Sequence, residues 1–321
     1  MPEPFVRPDV RAFLDVMKSL PRPEFSDELI AQMRRSPEIM QAQMAMLELD
    51  VGELGEVGDV TMPGPGGDMQ LRMFDPRGQR GPGPVMVFYH GGGFTVGSID
   101  SHASFAAELA RGLDLPVVSV EYRLAPENPW PAAPDDAEAA ARWIAANGAA
   151  FGREFTGLVL CGDSAGGALT VVTALALRDA PAALPVVLQV PIYPRTDATR
   201  EYPSVGEFSD GFGLSRDNLR YFEQAYAADP HHWRNSAIVA DQSGLPPTLV
   251  VTASLDPLRD EGRAYAARAV EAGVQVTYRE MVGTVHGFCT YRRAIASASA
   301  DLARIIALAR GMLLEAQQAA G

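Results

Sequence analysis

The chain has 321 residues, of which 47% are hydrophobic and 21% are charged, a composition typical of a soluble globular protein. Its formal net charge of −13 would repel phosphate at long range, which argues against a surface for nucleic acid or anionic lipid. No stretch approaches the roughly 20 apolar residues of a membrane-spanning helix, and the N-terminus has no signal-peptide pattern. We therefore expect a soluble, cytoplasmic protein.

Residues 1–50 have the pattern of amphipathic helices. The apolar residues recur at helical spacing in two runs, the first with Phe13, Leu14, Met17 and Leu20, the second with Leu29, Ile30, Met33, Met40, Met44 and Met46. Unbranched thioether side chains repack around varied neighbours, so the methionines suit either a small core or an adaptable lid. The sequence leaves both alternatives open.

From about residue 56 the pattern changes to alternating strands and helices. The predicted strands are 57–62, 69–74, 85–89, 117–122, 158–161, 186–190, 249–252 and 276–281. The predicted helices lie around 101–113, 135–147, 167–178, 259–272 and 293–316. Apolar strands that alternate with helices indicate an α/β fold, with a mostly parallel central sheet covered by helices on both faces.

Residues 194–236 interrupt this alternation. They contain turn formers and a helical pattern with four large side chains, Leu219, Tyr221, Phe222 and Tyr226. Insertions after a strand usually lie above the carboxyl ends of the sheet, where α/β folds bind ligands. We therefore predict a helical cap made of residues 1–50 and 196–235, over a catalytic domain formed by residues 51–195 and 236–321.

The segment Gly162-Asp163-Ser164-Ala165-Gly166 lies between a predicted strand and a predicted helix. This is the context of a nucleophile elbow, in which a serine sits on a sharp turn with its hydroxyl exposed. Glycines flank the serine because larger side chains would collide with the neighbouring strand and helix. Ser164 is therefore the candidate nucleophile.

A second glycine-rich segment, His90-Gly91-Gly92-Gly93-Phe94, ends the predicted strand 85–89. Acyl transfer places negative charge on a carbonyl oxygen, and backbone N–H groups aimed at that oxygen stabilise it. A dinucleotide-binding G-x-G-x-x-G beginning at Gly91 would need glycine at 96, where the chain has Val96. The segment therefore predicts an oxyanion loop.

A serine nucleophile also needs a base and an acid that orients the base. His286 follows the predicted strand 276–281, and Asp256 follows the strand that ends near residue 253. Asp260 and Glu261 are more simply first-turn residues of a helix, where the helix dipole favours them. The order Ser164, Asp256, His286 is that of the α/β-hydrolases.

No pattern predicts a metal site, a cofactor or a disulfide. The adjacent His231 and His232 lack the spacing of metal ligands, and we expect them in a solvated loop. Cys161 and Cys289 have no CxxC partner, and we expect two reduced thiols in packed positions.

Over most of residues 55–310 the chain resembles the hormone-sensitive lipase family of esterases. The resemblance rests on five segments: His90-Gly91-Gly92-Gly93, the GDSAGG run 162–167, Tyr122-Arg123-Leu124-Ala125-Pro126-Glu127, Asp256-Pro257-Leu258 and His286-Gly287-Phe288. It implies an α/β-hydrolase fold with a helical cap, and an oxyanion hole formed by the N–H groups of Gly92, Gly93 and Ala165. His90 and Gly91 would shape the oxyanion loop.

The resemblance and the motifs together predict a carboxylesterase that hydrolyses small esters with short acyl chains. Candidate substrate-binding residues are Phe94, Phe212, Tyr221 and Phe222. Three alternatives remain: an amidase or peptidase, a long-chain lipase, and a non-catalytic binding protein on the same fold. The resemblance also leaves open a homodimer formed through the strand 276–281.

Overall fold

A computed structural model describes residues 3–20 and 24–320 and shows a central eight-stranded sheet. Residues 1, 2, 21–23 and 321, which the predicted domains include, lie outside the described part. The strands are β1 Glu56–Gly64, β2 Gly67–Asp75, β3 Gly83–Tyr89, β4 Val117–Val120, β5 Phe155–Asp163, β6 Val186–Ile192, β7 Thr248–Leu255 and β8 Val276–Val285. Each of the eight predicted strands corresponds to one of these.

The sheet has the strand order β1-β2-β4-β3-β5-β6-β7-β8. β2 pairs antiparallel with β1 and β4, and every other pair is parallel. The predicted mostly parallel α/β sheet is therefore confirmed. Tyr89 pairs with Gly162 and Leu255 pairs with Val285, so the segments after β3, β5, β7 and β8 meet at one edge.

Helices cover both faces of the sheet. The larger ones are α4 Ala103–Leu113, α5 Ala132–Ala146, α6 Ala165–Asp179, α9 Arg259–Glu271 and α10 Ser297–Ala320. α4 and α10 pack on one face, and α5, α6 and α9 pack on the other. Met86 and Phe88 of β3 point to the first face and Val87 to the second, as the two-residue period of a strand requires. Within the described ranges, no helix combines the length and apolarity needed to cross a bilayer.

The described part of the N-terminal region contains three helices, α1 Pro8–Ser19, α2 Asp27–Arg35 and α3 Pro37–Leu47. The second apolar run therefore spans two helices, α2 and α3. Ser36 adopts φ −130° and ψ 61°, outside the helical region, because the ring of Pro37 disfavours a helical residue before it. The side chain of Met40 lies outside the described part of the chain.

α1 packs against the main body of the protein. Its Val10, Phe13 and Leu14 are buried in the core beside α10, and Phe13 lies 5.2 Å from the ring of Tyr291. The N–H of Arg7 donates to the carbonyl oxygen of Gly283 in β8 at 3.1 Å. Part of the N-terminal region is thus core, whereas Met46 is 68% exposed.

The insertion after β6 contains α7 Pro203–Phe208 and α8 Arg216–Tyr226. α8 contacts the residues around the start of α2. The Tyr221 hydroxyl donates to Asp27 Oδ1 at 3.0 Å, and Phe25 lies 5.1 Å from Phe222 between ring centroids. The two segments predicted to form a cap touch each other, and the cap and its boundaries stay a prediction.

Candidate active site

Ser164 is the single residue between β5 and α6. It has φ 54° and ψ −116°, a strained conformation that its surroundings must maintain. A Cβ at Gly162 would lie 2.3 Å from the carbonyl oxygen of Gly166, and one at Gly166 would lie 1.9 Å from that of Tyr89. The two glycines therefore allow the strand and the helix to approach closely enough to form the turn.

Replacing Gly166 with alanine is expected to destabilise the protein strongly. The new methyl group would collide with the backbone of β3, which has no side chain that could move aside. Overpacking of this kind costs about 1–3 kcal/mol or more. Gly311→Ala is the matched control, because Gly311 lies within α10 and a Cβ there has no neighbour within 4 Å. Thermal unfolding should show a large loss for Gly166→Ala and equal or higher stability for Gly311→Ala, and equal losses would contradict the argument.

The structure brings Ser164, His286 and Asp256 into one hydrogen-bonded series. His286 Nε2 lies 2.8 Å from Ser164 Oγ, and His286 Nδ1 lies 2.7 Å from Asp256 Oδ2. These residues follow β5, β8 and β7, so the parallel sheet delivers all three to the same edge. With its proton on Nδ1, the imidazole can accept the serine proton on Nε2.

Asp256 and His286 are held from several sides. Asp256 is fully buried, and its Oδ1 accepts the N–H of Leu258 at 2.8 Å, which leaves Oδ2 for the imidazole. The ring of Tyr193 lies 4.8 Å from that of His286 between centroids. Tyr193 is itself fully buried and has φ 35°. Sequence analysis did not single out Tyr193, because no local pattern marks a ring that contacts a base 93 residues away.

The predicted oxyanion loop lies beside the serine. Gly92 and Gly93 have φ 122° and 60°, values that favour glycine. The carbonyl oxygen of Gly92 accepts the N–H groups of Thr95 and Val96 at 3.0 and 2.9 Å, which turns the loop back on itself. Among the described residues, no hydrogen bond occupies the N–H groups of Gly92, Gly93 or Ala165. These amides are therefore free to bind an anionic oxygen.

Buried polar groups hold the beginning of this loop. The Tyr122 hydroxyl donates to the carbonyl oxygen of His90 at 2.7 Å, and its ring stacks on the His90 imidazole at 4.3 Å. The N–H of Gly91 donates to Asp163 Oδ1 at 2.9 Å, and His102 Nε2 lies 3.4 Å from the same oxygen. Burial lowers the pKa of His90 to about 3, so this ring stays neutral and supports the loop as packing.

The four predicted substrate-binding residues have different surroundings. Phe222 lies against the oxyanion loop, because a Cβ at Gly93 would be 2.4 Å from its ring. Phe94 stacks on Tyr226 at 3.9 Å, and Phe212 packs edge-on against Phe208 at 5.3 Å. Of the four, Phe222 is the one that directly covers the loop.

Two histidines and the two cysteines take no part in the hydrogen-bonded series of Ser164, His286 and Asp256. His232 packs edge-on against Trp130 at 4.9 Å and accepts the N–H of Arg234, an arrangement of loop packing. Cys161 and Cys289 are free and buried. Within the described ranges, no group of three or more His, Cys, Asp or Glu side chains could hold a metal ion.

The comparisons with known proteins agree with this geometry. The family described as an alpha/beta hydrolase fold matches residues 86–290. The chain belongs to this family. Its relatives place it among the carboxylic ester hydrolases of the hormone-sensitive-lipase type, as the motifs predict.

Two relatives from Mycobacterium tuberculosis illustrate the similarity. The carboxylic ester hydrolase LipN is 41% identical over 246 residues, which cover 73% of this chain and 64% of LipN. The carboxylesterase NlhH is 38% identical over 247 residues, which cover 75% of this chain and 77% of NlhH.

Two solved structures extend the likeness to nearly the whole chain. An ester-hydrolase from the metagenome of Lake Arreo, complexed with a derivative of bipyridine phosphonate, superposes with a TM-score of 0.87 at 37% identity, covering 97% of this chain and 99% of that one. A hyperthermophilic esterase from Pyrobaculum calidifontis gives a TM-score of 0.86 at 34% identity with coverage of 97% and 99%. The chain is thus similar to solved esterases along nearly its whole length.

Proposed function

We propose that this α/β-hydrolase is a serine carboxylesterase that cleaves esters with short acyl chains through an acyl-enzyme on Ser164. One observation carries the proposal: His286 lies within hydrogen-bond distance of both Ser164 and Asp256, beside amides that make no hydrogen bond to any described residue. This arrangement contains a nucleophile, a base, an orienting acid and an oxyanion site, which together suffice for acyl transfer.

The first half of the reaction forms the acyl-enzyme. His286 Nε2 accepts the Ser164 proton as Oγ attacks the ester carbonyl carbon, and the carbonyl oxygen becomes an oxyanion. The N–H groups of Gly92, Gly93 and Ala165 donate to that oxygen. The dipole of α6 adds to this stabilisation, because Ala165 is its first residue. His286 then protonates the alcohol oxygen as the C–O bond breaks, and the alcohol leaves.

The second half repeats these roles with water. His286 accepts a proton from water while the water oxygen attacks the acyl carbon. His286 then returns this proton to Ser164 Oγ as the bond between Oγ and the acyl carbon breaks and the carboxylic acid leaves. Asp256 fixes the Nδ1–H tautomer and stabilises the imidazolium that forms twice in each cycle. No step requires a metal ion or an organic cofactor.

The alternatives are distinguished by observations of different kinds. A non-catalytic binding protein on this fold should lack a member of the Ser–His–Asp series, and all three residues are in contact here. An amidase would use the same geometry, because the fold alone does not determine whether the bond that is cleaved is an ester or an amide. Comparison of a p-nitrophenyl ester with the matched p-nitroanilide separates the two, and we expect hydrolysis of the ester to dominate.

We infer that the N-terminal helices and the 196–235 insertion form a cap that limits the length of the acyl chain. Phe222 lies over Gly93, and the Phe25–Phe222 and Tyr221–Asp27 contacts join the two segments above it. A roofed pocket has finite depth, and each methylene group contributes about 0.8 kcal/mol only while apolar space remains to bury it. Cytoplasmic location and homodimer formation remain predictions from the sequence.

A series of p-nitrophenyl esters tests this proposal. We expect kcat/KM to be high from acetate to hexanoate and to fall by at least tenfold at palmitate, because the longer chain must bend or displace the roof. Assays at substrate concentrations below micelle formation keep the comparison between single molecules. A steady rise in kcat/KM to palmitate, with activation at an oil–water interface, would contradict the short-chain esterase and favour a lipase.

A further inference from the structure

The end of the oxyanion loop away from Gly91 is held by an arginine from a distant part of the chain. Arg34, in the last turn of α2, donates through Nη2 to the carbonyl oxygen of Thr95 at 2.9 Å and to that of Ala125 at 2.6 Å. Its Nη1 pairs with the carboxylate of Glu127. A helix of the N-terminal region therefore contacts the backbone that directly follows the loop.

Both carbonyl oxygens depend on Arg34 for a partner. Thr95 and Ala125 are buried, and among the described residues no other group donates to either oxygen. Buried acceptors are almost always paired, and hydrogen bonds from a cation are roughly twice as strong as those between neutral groups. Without the guanidinium, this part of the backbone would have to rearrange or admit water.

Two successive peptide groups connect Arg34 to the oxyanion hole. The Thr95 carbonyl belongs to the same planar peptide group as the N–H of Val96, so holding that oxygen fixes the direction of this N–H. The N–H of Val96 donates to the carbonyl oxygen of Gly92 at 2.9 Å. The Gly92 carbonyl in turn shares its peptide plane with the N–H of Gly93, one of the proposed oxyanion donors. Arg34 thus influences the direction of the Gly93 N–H.

Ala125 supports the residue between these two peptide groups. Its N–H donates to the carbonyl oxygen of Phe94 at 2.8 Å. Phe94 has φ 60°, a value that a residue with a side chain adopts only where its surroundings maintain it. Because Arg34 binds the carbonyl oxygens of both Thr95 and Ala125, it keeps the two chain segments on either side of this contact together.

We propose that Arg34 is a positioning residue of the oxyanion hole, which it serves by fixing the direction of the Gly93 N–H. This inference rests on the proposed esterase function. Arg34 acts through the backbone and not on the substrate. Its effect falls on the transition state, because the hydrogen bond from Gly93 strengthens as negative charge develops on the carbonyl oxygen. The region predicted to roof the pocket would then also complete the catalytic site.

Arg34→Ala tests the proposal, and Arg35→Ala removes the same charge from an exposed neighbour on α2 as the matched control. Alanine preserves the helix. Two inhibitors of nearly equal shape separate the oxyanion from the pocket. The carbonyl carbon of 1,1,1-trifluoro-2-hexanone bonds to Ser164 Oγ as the serine proton passes to His286, which leaves an oxyanion in the hole. The alcohol 1,1,1-trifluoro-2-hexanol offers no carbonyl to attack.

We expect Arg34→Ala to lower kcat/KM for p-nitrophenyl butyrate and to weaken inhibition by the ketone, each by about tenfold or more. Loss of a direct oxyanion donor costs about 10²–10³, and an indirect loss should cost less. Inhibition by the alcohol should stay within about threefold of the wild type, since no charge develops on its oxygen. Arg35→Ala should resemble the wild type in all three measurements.

An unchanged ketone affinity in Arg34→Ala would overturn the proposal. An equal loss of affinity for ketone and alcohol would do so as well, because it would mean that Arg34 only shapes the pocket. If Arg34→Ala does not fold, Arg34→Lys replaces it. Lysine keeps the charge near Glu127 but lacks the planar fork, so ketone affinity alone should fall, and unchanged affinity would overturn the proposal. A wild type that neither hydrolyses esters nor binds the ketone would instead overturn the proposed esterase function, and with it the role of Arg34.

Discussion

Ser164→Ala is expected to lower kcat for short esters by a factor of roughly 10⁶ while leaving the thermal transition nearly unchanged. The hydroxyl forms the bond to the substrate, and the one hydrogen bond that its oxygen makes in the described structure is to His286. The backbone contacts of the elbow do not depend on the hydroxyl. The N–H of Ser164 donates to Ile192 at 2.9 Å, and its carbonyl oxygen accepts the N–H of Ala168 at 3.0 Å.

Ser209→Ala provides the control for this substitution. Ser209 is also half-buried, and its hydroxyl has no hydrogen-bond partner among the described residues. The measurements are initial rates with p-nitrophenyl butyrate and thermal unfolding by circular dichroism. Full activity is expected for Ser209→Ala. Retention of even a tenth of wild-type turnover by Ser164→Ala would remove Ser164 from its proposed role.

The strands of the sheet could be predicted because each one follows from a local pattern of apolar residues. A parallel strand buried on both faces must be apolar along its length, and β3, β5 and β7 are short apolar runs between helical patterns. The glycine motif could be predicted for a similar reason. The contacts that exclude a Cβ at Gly162 and Gly166 are set by the turn itself and the adjacent strand.

Contacts between distant segments could not be predicted. Glu261 was interpreted as an ordinary first-turn residue of α9, and it does lie in that first turn. Yet it is only 3% exposed, its Oε1 accepts the N–H of Thr196 at 3.1 Å, and burial raises its pKa to about 8. Asp163, similarly, supports Gly91 from 72 positions away. No periodicity or motif encodes such partners.

The break between α2 and α3 is an intermediate case. Pro37 is visible in the sequence, and the restriction that proline places on Ser36 is a local rule. The apolar spacing from Leu29 to Met46 continues across the break, however, so it does not reveal the boundary. A cavity of about 550 Å³ beneath these helices is lined by four stretches of the chain, 30–34, 44–51, 95–104 and 121–124, and no local pattern indicates that these stretches meet.

Asp256→Asn should reduce kcat by about 10⁴-fold, because the amide selects the wrong imidazole tautomer. Asp256 Oδ1 accepts the Leu258 N–H, so an asparagine keeps its oxygen there and turns its NH₂ group toward His286 Nδ1. Nδ1 then accepts a hydrogen bond and the proton moves to Nε2. In that state His286 cannot accept the Ser164 proton.

Asp260→Asn is the matched control, since it removes the same charge four residues away. Asp260 Oδ2 accepts the N–H of Ser204 at 3.0 Å and Oδ1 accepts the Nε–H of Arg259 at 2.7 Å, which joins α9 to α7. Its loss should lower the free energy of unfolding by about 1 kcal/mol and change kcat less than tenfold. Rates with p-nitrophenyl butyrate and urea unfolding separate the two effects. If Asp260→Asn lost more turnover than Asp256→Asn, the orienting acid would be Asp260, and His286 would have to leave its 2.7 Å contact with Asp256 during the reaction.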